Sequence, residues 1–117
     1  MKTNPPPRAP GLSLEQAALT FAALGSEQRL SVLRALVRAG PVGLSIGELG
    51  ERCGITGSTL TFHMKTLAQA GLVIQARKGR QIICAAAAHA EIRKLSDFLL
   101  LECCADCPDP TGSHDHG

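Results

Sequence analysis

The sequence predicts a mainly α domain with a two-stranded β wing, in the order α-α-α-α-β-β-α, and three observations carry that reading. Leucine-rich stretches at three-to-four spacing follow Ser-initiated capping patterns. A short apolar run, Leu72-Val73-Ile74, is separated from Gln81-Ile82-Ile83-Cys84 by a basic Gly turn. The only aromatics of the Phe, Tyr and Trp type are Phe21, Phe62 and Phe98, so the core has to be built from aliphatic side chains. A chain of 117 residues that is 44% hydrophobic has room for one domain with a modest core, and a chain this small often completes its burial by dimerising.

Residues 1–12 hold four prolines, which disfavour a packed element, and are expected to form a flexible N-terminal arm. Ser13-Leu14-Glu15-Gln16 has capping-box spacing and opens a first helix to about Leu24. A second helix runs from near Ser26 to Ala39, with Leu30, Leu33, Leu36 and Val37 on its apolar side, and stops at Gly40-Pro41. Ser45-Ile46-Gly47-Glu48 is a second capping pattern, opening a short helix to Cys53. After Gly54-Ile55, a fourth helix starts at Thr56 or Gly57 and buries Leu60, Met64 and Leu67. Two helices joined by a tight Gly-containing turn have helix-turn-helix organisation.

The fourth helix carries Ser58, Thr59, Thr61, His63 and Lys65, whose polar groups suit a helix that enters a DNA major groove. Gly71 ends it, and the hairpin that follows presents Arg77, Lys78 and Arg80 as phosphate-facing bases of a wing. Charge distribution agrees with this placement. Between Thr56 and Arg80 lie four Lys or Arg and no acid, whereas Asp97 to Gly117 holds five acids and no Lys or Arg. The net charge of +2 by itself implies no partner. An alanine-rich piece, 85–90, leads into a last helix with Ile92, Leu95, Phe98, Leu99 and Leu101 on an apolar stripe. Such a stripe at the end of a small domain needs a cover, which makes this helix the expected dimer element, together with the N-terminal helix. The domain is expected to span 13–107, with 108–117 as a disordered acidic tail.

No signal-peptide pattern and no run of eighteen apolar residues occurs, so the expectation is a cytoplasmic protein without a membrane partner. A reducing compartment would keep the five cysteines as thiols. Enzymatic readings lack their parts: there is no phosphate-cradling Gly loop and no workable Ser-His-acid order.

Three segments resemble the arsenic-repressor family of bacterial winged helix-turn-helix metalloregulators. They are Ala23-Leu24-Gly25-Ser26-Glu27-Gln28-Arg29-Leu30-Ser31-Val32-Leu33, then Ile55-Thr56-Gly57-Ser58-Thr59-Leu60-Thr61-Phe62-His63-Met64-Lys65-Thr66-Leu67, then Ala70-Gly71-Leu72-Val73. The likeness covers roughly residues 13–104. It implies a homodimeric repressor that binds double-stranded operator DNA and leaves it when an inducer binds, with Ser58, Thr61 and His63 facing the DNA. The Cys-x-Cys pair that the family commonly places before the recognition helix is missing, since that stretch reads Ser45-Ile46-Gly47-Glu48-Leu49. Family members with an arsenite site near the terminal helix carry a Cys-Cys pair and a further Cys, which Cys103, Cys104 and Cys107 resemble.

These three soft sulfur ligands fall within one and a half helical turns. Cys104 is rotated by about 100° from Cys103 on a continuous helix, so the backbone is expected to unwind around Ala105-Asp106, before Pro108. Three thiolates complete a pyramidal arsenic(III) or antimony(III) centre, whereas zinc or cadmium wants a fourth ligand, which His114, His116 or an aspartate would supply. Thiol redox or persulfide sensing, pairing Cys53 with Cys103 or Cys104, is a further reading. Cys84 is expected either as a buried apolar residue or as an extra sulfur, and His89 as a solvated side chain.

Overall fold

The computed structural model describes residues 11–108. Helix α1 (Leu14–Ala23) opens on the expected capping box: the Ser13 hydroxyl accepts from the Gln16 amide, and the Gln16 side chain accepts from the Ser13 amide, both at 3.0 Å. Helix α2 (Glu27–Ala39) is capped by Ser26, whose hydroxyl accepts from the Arg29 amide, and ends where Gly40 turns to a φ of 78°. Ser45 and Glu48 form the second capping box, on helix α3 (Ile46–Cys53), which stops at left-handed Gly54. Helix α4 (Gly57–Gln69) follows, then strands β2 (Val73–Lys78) and β3 (Gln81–Ala86), and helix α5 (His89–Leu100).

The expected wing acquires a third strand. Leu44–Ser45 forms β1, antiparallel to β3 with Leu44 opposite Cys84 and Ser45 opposite Ile83, so the sheet runs β1-β3-β2. Gly43 makes this pairing possible. Its φ is 75°, and a Cβ there would collide with the carbonyl oxygen of Cys84, so only glycine lets the chain lie this close to β3. In the hairpin, Lys78 pairs with Gln81 across a two-residue turn, Gly79-Arg80. Gly79 takes a φ of 60° at the first central position, which matches the right-handed twist of the flanking strands.

The core lies where α2, α3 and α4 meet the sheet: Val32, Leu33, Leu36, Leu49, Leu60, Met64, Leu67, Val73 and Cys84 form one cluster that α5 joins through Leu95. Leu36, Leu49, Leu60 and Leu67 are almost fully buried, and each contributes about 1.5–3 kcal/mol relative to an exposed side chain. Leu12, within the stretch expected as a free arm, packs against the cluster; residues 1–10 of that stretch, and 109–117 of the expected tail, lie outside the described residues. The alanine-rich piece divides differently from the expectation. Ala85 and Ala86 complete β3, and the Ala87 amide donates to the Leu72 carbonyl at 2.8 Å.

Helix α5 also ends earlier than expected. Beyond Leu100 the chain continues in tight turns, with amide-to-carbonyl bonds from Cys103 to Leu100, Ala105 to Glu102 and Cys107 to Cys104. Cys104 has a φ of 64°, left-handed for a residue with a side chain, so the unwinding precedes Ala105-Asp106. No helix among the described residues is long and apolar enough to cross a membrane.

Candidate nucleic-acid interface and cysteine cluster

Helix α4 has one buried and one exposed face. Leu60, Met64 and Leu67 point inward, while Ser58, Thr59, Thr61, Phe62 and Lys65 are exposed. The Thr61 hydroxyl donates to the Gly57 carbonyl at 2.9 Å and keeps its acceptor lone pairs for an outside partner. Thr56 stands at the N-cap, yet its hydroxyl turns to Thr59 at 3.4 Å and caps no backbone amide. Arg77, Lys78 and Arg80 are exposed at the far end of the hairpin, two at the close of β2 and one in the turn. The structure thus presents one polar helix face and one basic hairpin tip, parts able to meet base edges and backbone phosphates respectively.

His63, expected with the groove-facing residues, sits on the inner face at 7% exposure. It falls in the helical stripe of Leu60, Met64 and Leu67, which explains its burial. Its Nε2 is 2.9 Å from Gln28 Oε1 and its Nδ1 is 3.4 Å from an Arg29 guanidinium nitrogen, both partners at the start of α2. Because the guanidinium can only donate, Nδ1 accepts and Nε2 carries the proton, donating to Gln28. Burial and then the Arg29 charge hold the His63 pKa below its ordinary value, which keeps the ring neutral. Arg29 Nε also donates to the Ala23 carbonyl at 2.6 Å, at the end of α1. One arginine thereby ties α1, α2 and α4 together behind the exposed face of α4.

The two adjacent cysteines are exposed, and their sulfurs stand 3.6 Å apart. Two thiolates about 2.3 Å from one tetrahedral centre stand about 3.8 Å apart, so this pair fits two positions on a single soft ion. The Cys103 thiol is pushed above its ordinary pKa by its hydrogen bond with Cys104 and then by the charge Cys104 would carry. Cys107 is exposed one turn further on, but among the described residues no group of three potential ligands is gathered as it would be around a metal. The left-handed turn at Cys104 lies between Cys103 and Cys107, so a continuous helical face never forms. His114 and His116 lie outside the described residues.

None of the five cysteines is in a disulfide. Cys53 is half-buried against the core, whereas Cys84 is fully buried and accepts a weak bond from the Gln75 side chain at 3.8 Å. Burial raises the Cys84 pKa, with Gln75 opposing, so Cys84 is a core residue and not an extra sulfur at the exposed pair. His89 is exposed at the start of α5, as expected.

A second surface is apolar. Leu14 and Leu19 of α1 and Leu99, Leu100 and Leu101 at the end of α5 are 62–75% exposed, and Phe21 joins Ile92, Leu95 and Leu99 around one shallow depression between the two helices.

Residues 24–76 match a family model described as a helix-turn-helix domain. Over 63 residues the chain is 43% identical to the uncharacterized HTH-type transcriptional regulator YceK of Bacillus subtilis (strain 168), a match covering 54% of this chain and 62% of that protein. An ArsR-like transcriptional regulator from Rhodococcus sp. RHA1 superposes with a TM-score of 0.65 at 29% identity, over 79% of this chain and 82% of the other. The homodimeric winged helix-turn-helix DNA-binding domain of Mb0332 from Mycobacterium bovis, a possible ArsR-family regulator, shares the fold, with a TM-score of 0.63 at 22% identity over 88% and 90% of the two chains. The chain therefore has the winged helix-turn-helix fold.

Proposed function

We propose that this chain, whose winged helix-turn-helix domain is related to those of ArsR-like regulators, is a homodimeric transcriptional repressor that releases operator DNA when trivalent arsenic or antimony binds its cysteine cluster. The observation that carries the inducer assignment is the 3.6 Å separation of the Cys103 and Cys104 sulfurs in the exposed turns that follow α5. The pair supplies two thiolates to a soft centre, and Cys107 supplies the third by closing the turn that now separates it from Cys103.

In this reading Ser58, Thr59, Thr61 and Lys65 face the major groove, and Arg77, Lys78 and Arg80 hold flanking phosphates. His63 acts from behind, orienting α4 through Gln28 and Arg29. The exposed apolar residues of α1 and α5 form the subunit contact, as the homodimeric Mb0332 domain suggests for a chain of this fold. Gathering three sulfurs reshapes residues 101–107, directly after the helix that carries half of that contact. The two recognition helices then lose their match to groove spacing. A coupling of about 1–3 kcal/mol between inducer and DNA would lower operator affinity 5- to 150-fold.

The deciding experiment is fluorescence anisotropy of an operator duplex with the reduced protein at fixed salt, titrated separately with arsenite, antimonite, cadmium and zinc. Release by the trivalent species at near-stoichiometric amounts, lost in Cys103→Ser, Cys104→Ser and Cys107→Ser, is the expected result. Release by cadmium or zinc alone would transfer the site to a divalent ion with a fourth ligand. Release by none of the four would sink the metalloid reading in favour of thiol redox or persulfide sensing.

A further inference from the structure

The exposed face of α4 carries one residue that its polar neighbours do not explain. Phe62 is 60% exposed, on a helix whose other apolar side chains of similar size, Leu60, Met64 and Leu67, are buried. With successive residues turning by about 100°, Phe62 lies about 40° from Ser58 and about 60° from Lys65, in the middle of the outward face. Its ring is not adrift: the centroid is 5.8 Å from that of His63, at an interplanar angle of 55°, and His63 is fixed by Gln28 and Arg29. A large apolar surface is thus held on a rigid backing, with a hydroxyl one turn before it and an ammonium group one turn after it, both to the same side of the ring.

We infer that Phe62 reads the C5 methyl of a pyrimidine in the major groove, most simply thymine, and so sets sequence preference beyond the polar contacts. The inference rests on the DNA-binding reading above. The chemistry is selective because hydrogen-bonding atoms line the rest of the groove, and the C5 methyl is the apolar group that a base pair offers there. A phenyl ring cannot donate or accept a hydrogen bond with those atoms. Against a base edge without a methyl it displaces water for no return, while against the methyl it buries apolar surface on both partners.

The test uses the full-length protein and a duplex that it enriches from a randomised pool. Each thymine is replaced singly by uracil, which removes the methyl and nothing else, and affinity is measured by anisotropy at one salt concentration. In a second arm, cytosine at the sensitive position is compared with 5-methylcytosine, which separates a general methyl reader from a thymine reader. At one position in each half-site, loss of the methyl should weaken binding about fourfold, the equivalent of one buried CH₂. Phe62→Ala should weaken binding to the methylated duplex by at least that factor and be indifferent to the methyl, whereas Phe62→Leu should keep part of the discrimination. Thermal melting of both variants should match the parent, because the side chain is exposed.

The inference is overturned if neither arm shows methyl sensitivity, or if Phe62→Ala keeps the sensitivity of the parent; in both cases DNA binding itself would stand. A protein that enriches no duplex would remove the DNA reading and this inference together.

Discussion

Gln28 Oε1 accepts a hydrogen bond from His63 Nε2 at 2.9 Å, joining the first turn of α2 to the middle of α4. The bond is made on the buried side of the helix whose other side is exposed. In the proposed DNA-binding reading, support and recognition are divided between opposite faces of α4, and substitutions on the two faces should be separable by experiment.

Truncating the supporting side should cost stability. His63→Ala leaves the Gln28 carbonyl and the Arg29 guanidinium without their partner, and should destabilise the fold by about 1–3 kcal/mol in urea unfolding. The parent should also show a pH dependence. Because the His63 pKa is held below its ordinary 6.5, the unfolded chain binds a proton at higher pH than the folded one. The contribution is therefore complete above about pH 6.5 and is lost as pH falls through that value towards the folded pKa. His63→Gln, which cannot titrate, should flatten this slope, and an unchanged slope would place the titration elsewhere.

Substitutions at the wing should leave the melting temperature unchanged while altering the salt dependence of DNA binding. Replacing Arg77, Lys78 and Arg80 by Ala should reduce the slope of log affinity against log salt by about 0.9 for each phosphate that is no longer neutralised. Selectivity among duplexes should survive, since phosphates carry no base identity. A triple variant with the parental slope would show that the hairpin stays clear of the backbone.

Thiol reactivity should divide the cysteines by environment. Cys84, buried with its pKa raised by desolvation, should resist alkylation until the protein unfolds, whereas Cys103 and Cys104 should react in the native state. The Cys103 rate should still be climbing at pH values near the ordinary 9.0 of a thiol, because Cys104 disfavours its thiolate. Cys104→Ala removes the hydrogen bond and the neighbouring charge together and should shift the profile of Cys103 to lower pH. Mass-resolved alkylation between pH 7 and 10 reads this directly.

Two charges introduced on the apolar face should separate the subunits. Leu99→Glu with Leu100→Glu changes side chains 67% and 64% exposed in a single chain, so monomer stability should barely move. Sedimentation equilibrium should report a monomer for the double variant and a dimer for the parent. A dimeric double variant would move the subunit interface away from the end of α5.

The helices were legible because their signals are local. Ser13 with Gln16 and Ser45 with Glu48 form capping boxes, and the leucine spacing named the inner face of α4; on α2 it named Leu33 and Leu36 correctly, but Leu30 and Val37 are exposed and Val32 fills the core instead. Strand β1 was not legible, since two residues carry no periodicity and the reason for their pairing, Gly43 against Cys84, is an approach between residues about forty positions apart in sequence. His63 was misplaced for a different reason. Its polarity and its position between Thr61 and Lys65 suggested the groove, but the i, i+3, i+4 stripe of Leu60, Met64 and Leu67 already contained it. The same wheel puts Phe62 outside, so that signal was present and outweighed by residue type. In the cysteine cluster, sequence spacing named the sulfurs, while the left-handed backbone at Cys104, which sets their arrangement, has no sequence marker.

Residues 101–108 are all exposed, and the buried members of the core cluster end at Leu95. Changes of chemistry in this stretch are consequently almost free of folding cost. In the proposed reading, a lineage carrying this domain can retune its chemical stimulus by altering a few codons between 102 and 108, with no change to the side chains on the exposed face of α4.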